Sequence, residues 1–195
     1  MKRWILFLAI LAVLSGCNGR TVVTTEFDLL SFLGSEPSVE LPVLGAFEMF
    51  FPDGGGGYVA PDGGYLFDRF PLVEPLLGFG ASAEIQLTNT GDGPVTFAAS
   101  MRLAPASDEA NIYDGIGDVE LAGAETALAA GATQSVRLEG YLEQGDSRLE
   151  LITNEGFRIG LRLYVSGEGS LELRLTGLTV TLEQRPFDLL VPDAP

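Results

Sequence analysis

Apolar and polar residues alternate singly along most of this chain, and that two-residue period dictates strands. Ala83, Ile85 and Leu87 alternate with Glu84, Gln86 and Thr88. Val95, Phe97, Ala99, Met101 and Leu103 alternate with Thr96, Ala98, Ser100 and Arg102. Between them stands Asn89-Thr90-Gly91-Asp92-Gly93-Pro94, a turn cluster that predicts a hairpin. Val136 and Leu138 repeat the pattern, as do Phe157, Ile159, Leu161, Leu163 and Val165. Ser166-Gly167-Glu168-Gly169 reads as the next hairpin turn, followed by Leu171, Leu173 and Leu175. The apolar phase then slips by one residue, to Leu178, Val180 and Leu182. That slip predicts a β-bulge or sharp bend at Thr176-Gly177, with Gly177 tolerating the unusual backbone angles. Alternation with one wet face marks antiparallel strands, because parallel strands are buried on both faces.

One short helix is expected near 146–154, where Asp146 or Ser147 caps a turn from Leu149 to Ile152; a strand is the competing reading. The N-terminal third is less regular and rich in Phe, with short strands expected near 21–30, 38–51 and 65–73. Its Phe residues are expected to supply core, with an exposed apolar patch as the alternative. Many short strands between Gly/Pro turns point to an all-β chain, an antiparallel β-sandwich of about 8–10 strands. The Asn-Thr-Gly-Asp stretch at 89–92 resembles that of bacterial immunoglobulin-like envelope domains. The resemblance implies an immunoglobulin-like architecture and no activity.

The N-terminus has a different character. Lys2 and Arg3 precede an apolar run from Trp4 to Leu14, then Ser15, Gly16 and the sole cysteine, Cys17. These are the parts of an export signal. The run has 11 residues, and a membrane-spanning helix needs roughly 20. Leu14-Ser15-Gly16-Cys17 resembles the bacterial lipobox. The resemblance implies that residues 1–16 are a signal peptide and that Cys17 receives a diacylglycerol. Asn18, where Asp would imply retention at the inner membrane, implies the outer membrane, on its periplasmic or its cell-surface face. The expected organisation is then a signal peptide (1–16), a lipidated N-terminus and tether (17–20), one β-sandwich domain (21–186) and a tail (187–195).

Charge and missing residue types narrow the chemistry. Beyond residue 16, nine Arg stand against 27 acidic residues, a formal charge of −18. Nucleic acid and anionic headgroups call for clustered positive charge, so neither is an expected partner. The chain has no His, and no Lys beyond residue 2. A Ser-His-Asp triad and a Schiff-base lysine are therefore excluded within residues 17–195. With one cysteine there is no intrachain disulfide, and the usual zinc sites cannot form. No catalytic, metal or cofactor residue is singled out.

Two loops are candidate binding segments. Pro52-Asp53-Gly54-Gly55 recurs nine residues later as Pro61-Asp62-Gly63-Gly64, with Tyr58 and Tyr65 nearby. It is expected to be a flexible surface loop, with recognition as its alternative use. Asp108-Glu109-Ala110-Asn111-Ile112-Tyr113-Asp114-Gly115-Ile116-Gly117-Asp118 offers oxygen ligands for calcium, although its spacing is not that of an EF-hand. The competing reading is Asp and Asn in turn positions. A sugar-binding face has poor support in the sequence: the only Trp is Trp4, and five Tyr are scattered. Phe27-Asp28-Leu29-Leu30 recurs as Phe187-Asp188-Leu189-Leu190, which a Leu-rich chain explains by chance.

The expected role is that of a lipid-anchored envelope lipoprotein serving as a non-catalytic structural or interaction module, with an envelope protein as partner. The alternative is a binding protein for a small or lipidic ligand, which a large closed apolar cavity would favour. A carboxylate- or calcium-dependent hydrolase ranks last.

Overall fold

The computed structural model describes residues 22–29, 38–51, 60–68, 75–153 and 155–185. Among them are nine strands: β1 (Val23–Asp28), β2 (Ser38–Leu44), β3 (Phe47–Phe51), β4 (Tyr65–Phe67), β5 (Leu76–Asn89), β6 (Val95–Pro105), β7 (Val119–Leu128), β8 (Thr133–Glu143) and β9 (Phe157–Gln184). A 3-10 helix, Ser147–Leu151, is capped by Asp146, whose carboxylate accepts from the Arg148 backbone N–H at 2.9 Å. The short helix expected near 146–154 is there, and it ends at Leu151.

β9 organises everything else. Its 28 residues run without a break through both layers. Along one flank, β5 pairs with 171–184 and β6 with 157–167. Along the other, β1, β2, β3 and β4 pair in turn with 179–184, 168–174, 161–165 and 157–159. β8 extends the sheet beyond β5, and β7 extends it beyond β6. All pairings are antiparallel, as the alternation dictates.

The sheet folds in half along one line. Gly45, Asn89-Pro94, Ala129-Ala132 and Ser166-Ser170 lie side by side there. The Gly45 N–H donates to the Gly167 carbonyl at 3.0 Å, and the Thr90 N–H to that of Ser170 at 2.8 Å. The Gly131 N–H donates to the Asn89 carbonyl, and the Asn89 N–H to that of Ala132, both at 2.9 Å. Folding brings β7 against β8. A Cβ at Gly140 would lie 2.6 Å from the Leu121 carbonyl oxygen, and Thr126 and Gln134 side chains bond at 3.0 Å.

This corrects the expected fold. The chain is all-β, but among the described residues it is one nine-stranded sheet rolled into a nearly closed barrel, not an open immunoglobulin-like β-sandwich. Two turn readings are corrected with it. Residues 166–169 do not reverse the chain; they are the bend of β9, with Gly167 at φ +135°. Residues 89–94 do not close a hairpin, because β5 and β6 both pair with β9 and not with each other. A bend and a hairpin turn call for the same small residues, so the sequence does not separate them. The slip at 176 is a bulge: Glu84 faces Gly177 and Ile85 faces Leu175, leaving Thr176 over. The extra residue is the threonine, and Gly177 does not take the positive φ expected of it.

Alternate residues of all layers fill the interior. Phe79, Phe97, Ile85, Leu87, Met101, Phe157, Val180 and Leu182 are fully enclosed. Of the N-terminal Phe residues, Phe51, Phe67 and Phe79 join this core, and Phe27 and Phe47 pack against it. Phe32 and Phe70 lie outside the described residues. An apolar gap of about 10 Å³ among Met49, Phe51, Ile85, Leu161 and Leu173 is the size of a single water site.

Candidate functional site

One concavity lies outside the barrel, on the outer face of β1, β9, β5 and β8; a shallower one of about 530 Å³ lies at the fold line, beside Leu44, Gly45 and Gly167. Strand register places the side chains of the first in rows. Glu26, Thr181, Gly80 and Tyr141 form one row, and Asp28, Thr179, Ser82 and Glu139 the next. Gly177, Glu84 and Arg137 form a third. Thr24, Glu183, Gly78 and Glu143 close the other end. Their neighbours in sequence, such as Ala81, Ala83, Val180 and Leu182, point into the core.

Gly80 and Ser82 leave β5 without bulk and Gly177 does the same on β9, so the face is hollowed into a groove of about 380 Å³. A binding cavity for a small ligand typically holds about 300–1,000 Å³. Tyr141 lies across Gly78 and Gly80. A Cβ at Gly78 would overlap its phenol oxygen, and one at Gly80 would stand 3.2 Å from its ring. Tyr141 is nonetheless 47% exposed. Its hydroxyl donates to Glu183; partial burial, that bond, and the charges of Glu183 and Glu143 push the phenol above its ordinary pKa. On the same rim Arg137 Nε lies 3.3 Å from Glu139 Oε2. The groove thus combines one open aromatic face, the hydroxyls of Ser82, Thr179 and Thr181, and charged groups at its edges.

The loop from Asp108 to Asp118 has a structural task instead. It covers the outer face of β9 beside Gly160, where a Cβ would overlap the Tyr113 hydroxyl. Phe50, Ala104, Ile112 and Tyr113 form a second, small apolar cluster beneath it. Its polar side chains close turns. Asn111 Oδ1 accepts from the Tyr113 N–H at 2.9 Å, and Asp114 Oδ1 from the Ile116 N–H at 2.8 Å. Asp118, its side chain fully enclosed, accepts from the Gly115 N–H at 2.7 Å and pairs with Arg102. The oxygens of Asn111, Asp114 and Asp118 that make these bonds serve turns and Arg102. Among the described residues, no group of three or more such side chains is placed to hold a metal ion.

The second Pro-Asp-Gly-Gly copy is equally engaged, contrary to the flexible-loop expectation. Asp62 Oδ1 accepts from the Gly64 N–H at 2.8 Å, and the Gly63 carbonyl accepts from Arg158 at 3.1 Å. Tyr65 packs on Phe67, ring centres 4.6 Å apart. The first copy, Tyr58, the second Phe-Asp-Leu-Leu and Cys17 lie outside the described residues. Sequence reasoning missed the groove altogether. Its only trace is the Gly78-Phe79-Gly80 pair opposite a tyrosine, and that opposition spans 61 residues in the register.

Residues 1–18 match the model for the prokaryotic membrane lipoprotein lipid attachment site. No curated protein matches the chain in sequence. Among solved structures, it is similar to a bacterial lipoprotein from Bacteroides thetaiotaomicron, at 11% identity and TM-score 0.39, over 86% of this chain and 91% of that one. It is also similar to a chain of infectious bursal disease virus, Gx strain, at 13% identity and TM-score 0.37, over 85% of this chain and 36% of that one. The C-terminal domain of EclA, a sugar-binding protein, matches at 12% identity and TM-score 0.33, over 75% and 78%. The chain spans little more than a third of the length of the bursal disease virus chains it matches. These likenesses are too distant to bear on what this chain binds. The match at residues 1–18 is of another kind: the chain carries the lipid attachment site of a prokaryotic membrane lipoprotein, and so a means of tethering to a membrane.

Proposed function

We propose that this is a lipid-anchored, non-catalytic binding protein of the cell envelope, which takes a small polar ligand in an open groove on the outside of its barrel. Cys17 is the attachment residue: two or more acyl chains give stable anchoring where one does not. Asn18 supports placement at the outer membrane. The observation that carries the binding reading is the contrast between inside and outside. The interior gap holds about 10 Å³ while the outer groove holds about 380 Å³. Among the described residues the strands enclose no room for a lipidic ligand, whereas the sheet face has room for a polar one.

Two measurements test this. Cys17→Ser should move the protein out of the membrane fraction and abolish labelling by palmitate; continued sedimentation with membranes would sink the anchor. Mass spectrometry of the native protein should find a bound polar small molecule, whereas tightly retained lipid in its place would refute the groove. Docking to an envelope protein is the second reading, favoured by Leu44, which is 90% exposed at the fold line. A Leu44→Ser variant that loses a co-purifying protein would select it.

A further inference from the structure

We propose that the ligand of this groove is a neutral saccharide, stacked on Tyr141 and held through its hydroxyls by Ser82, Thr179, Thr181, Glu26 and Glu84. This deepens the binding reading above and rests on it. The floor consists of β5 and β9, and each is paired on both sides. Neither floor strand has an open edge, so a peptide cannot add a strand to the floor, and recognition there falls to side chains. A sugar ring offers what those side chains need: a C–H face for an aromatic ring and hydroxyls around its rim. Tyr141 presents such a face, fixed because its other side rests on Gly78 and Gly80 and its hydroxyl is held by Glu183. A platform immobilised before binding loses little conformational freedom on binding.

Charge points the same way. Of the carboxylates around the groove, Glu183 accepts from Tyr141 and Glu139 faces Arg137. Glu26 and Asp28 on β1, and Glu84 on the floor strand β5, stand in three different rows. Successive rows are about 7 Å apart along the strands. Separated carboxylates interspersed with hydroxyls suit a series of hydroxyl donors better than one concentrated cation.

The test uses the full lipidated protein in a zwitterionic, non-glycosidic detergent. It is titrated with a panel of neutral oligosaccharides built on glucose, mannose, galactose or N-acetylglucosamine, with spermidine as the cationic control. Binding is read by calorimetry. At least one saccharide should bind, with an affinity unchanged between about 0.02 and 0.5 M NaCl. Tyr141→Ala should weaken it roughly tenfold, Tyr141→Phe should retain it, and Ser82→Phe, which fills the floor, should abolish it. Ser82→Phe decides the matter if Tyr141→Ala fails to fold. Saccharide binding indifferent to the variants that fold would overturn the assignment to Tyr141. Salt-sensitive binding of spermidine alone, lost in Ser82→Phe, would overturn the saccharide and leave the groove standing. Binding of neither class would overturn both.

Discussion

At the scale of single residues, two polar side chains carry the clearest consequences, one satisfied and one not. Asn89 is wholly enclosed at the fold line. Its amide nitrogen donates to the carbonyls of Gly93 (2.8 Å) and Leu128 (3.2 Å), and its Oδ1 accepts from the Gly91 N–H at 3.1 Å. It therefore ties the β5–β6 bend to the end of β7. Asn89→Ala should cost about 3 kcal/mol, because it strands buried backbone groups, visible as a lower urea midpoint with an unchanged slope. Asp108 is the opposite case. Its Oδ2 is buried with no hydrogen-bond partner. Burial raises its pKa, with Asp114 and Asp118 adding to the rise, against the Asn111 backbone N–H and Arg158. A raised carboxyl pKa means the folded state holds the proton more tightly. The stability it contributes is thus present below the ordinary carboxylate value and lost as pH rises through the folded one. Asp108→Asn should melt higher than the natural protein near pH 7, and the gap should close near pH 3. An equal gap at both would refute the role of the charge.

Among elements, β9 carries the fold, and its bend is the point most exposed to substitution. Gly167 sits at φ +135°, where an added Cβ would overlap the Pro94 carbonyl oxygen. Gly167→Ala should destabilise by about 2–4 kcal/mol, measured by the same denaturation. The strands themselves were legible: alternation picks out the buried faces of β5, β6, β8 and β9, and the phase slip marks the bulge at Thr176. What the alternation could not carry is which strand lies beside which. Asn89 faces Leu171, and Phe51 faces Leu161, across spans that no local pattern encodes. Because the 89–94 and 166–169 clusters are equally good turns or bends, a rolled sheet looked like a stack of hairpins. The groove was illegible for the same reason, since Tyr141 meets Gly80 only once β8 lies beside β5. The acidic loop was misleading in a different way: its Asp and Asn residues have the composition of a cation site and the geometry of turn caps.

For the molecule as a whole, charge and order of synthesis matter most. A formal charge of −16 over the chain repels itself in the folded state more than in an expanded one. Raising NaCl from about 0.02 to 0.5 M should therefore raise the melting temperature by a few degrees, and a flat response would show that pairs such as Glu48–Arg162 (2.5 Å) already offset the repulsion. The position of β9 has a further consequence. The strand to which six others attach follows all of them in the chain. Until residues 157–184 have emerged, the earlier segments lack the partner that would close them into a stable body. A polypeptide built in that order stays open and threadable until its last long strand arrives.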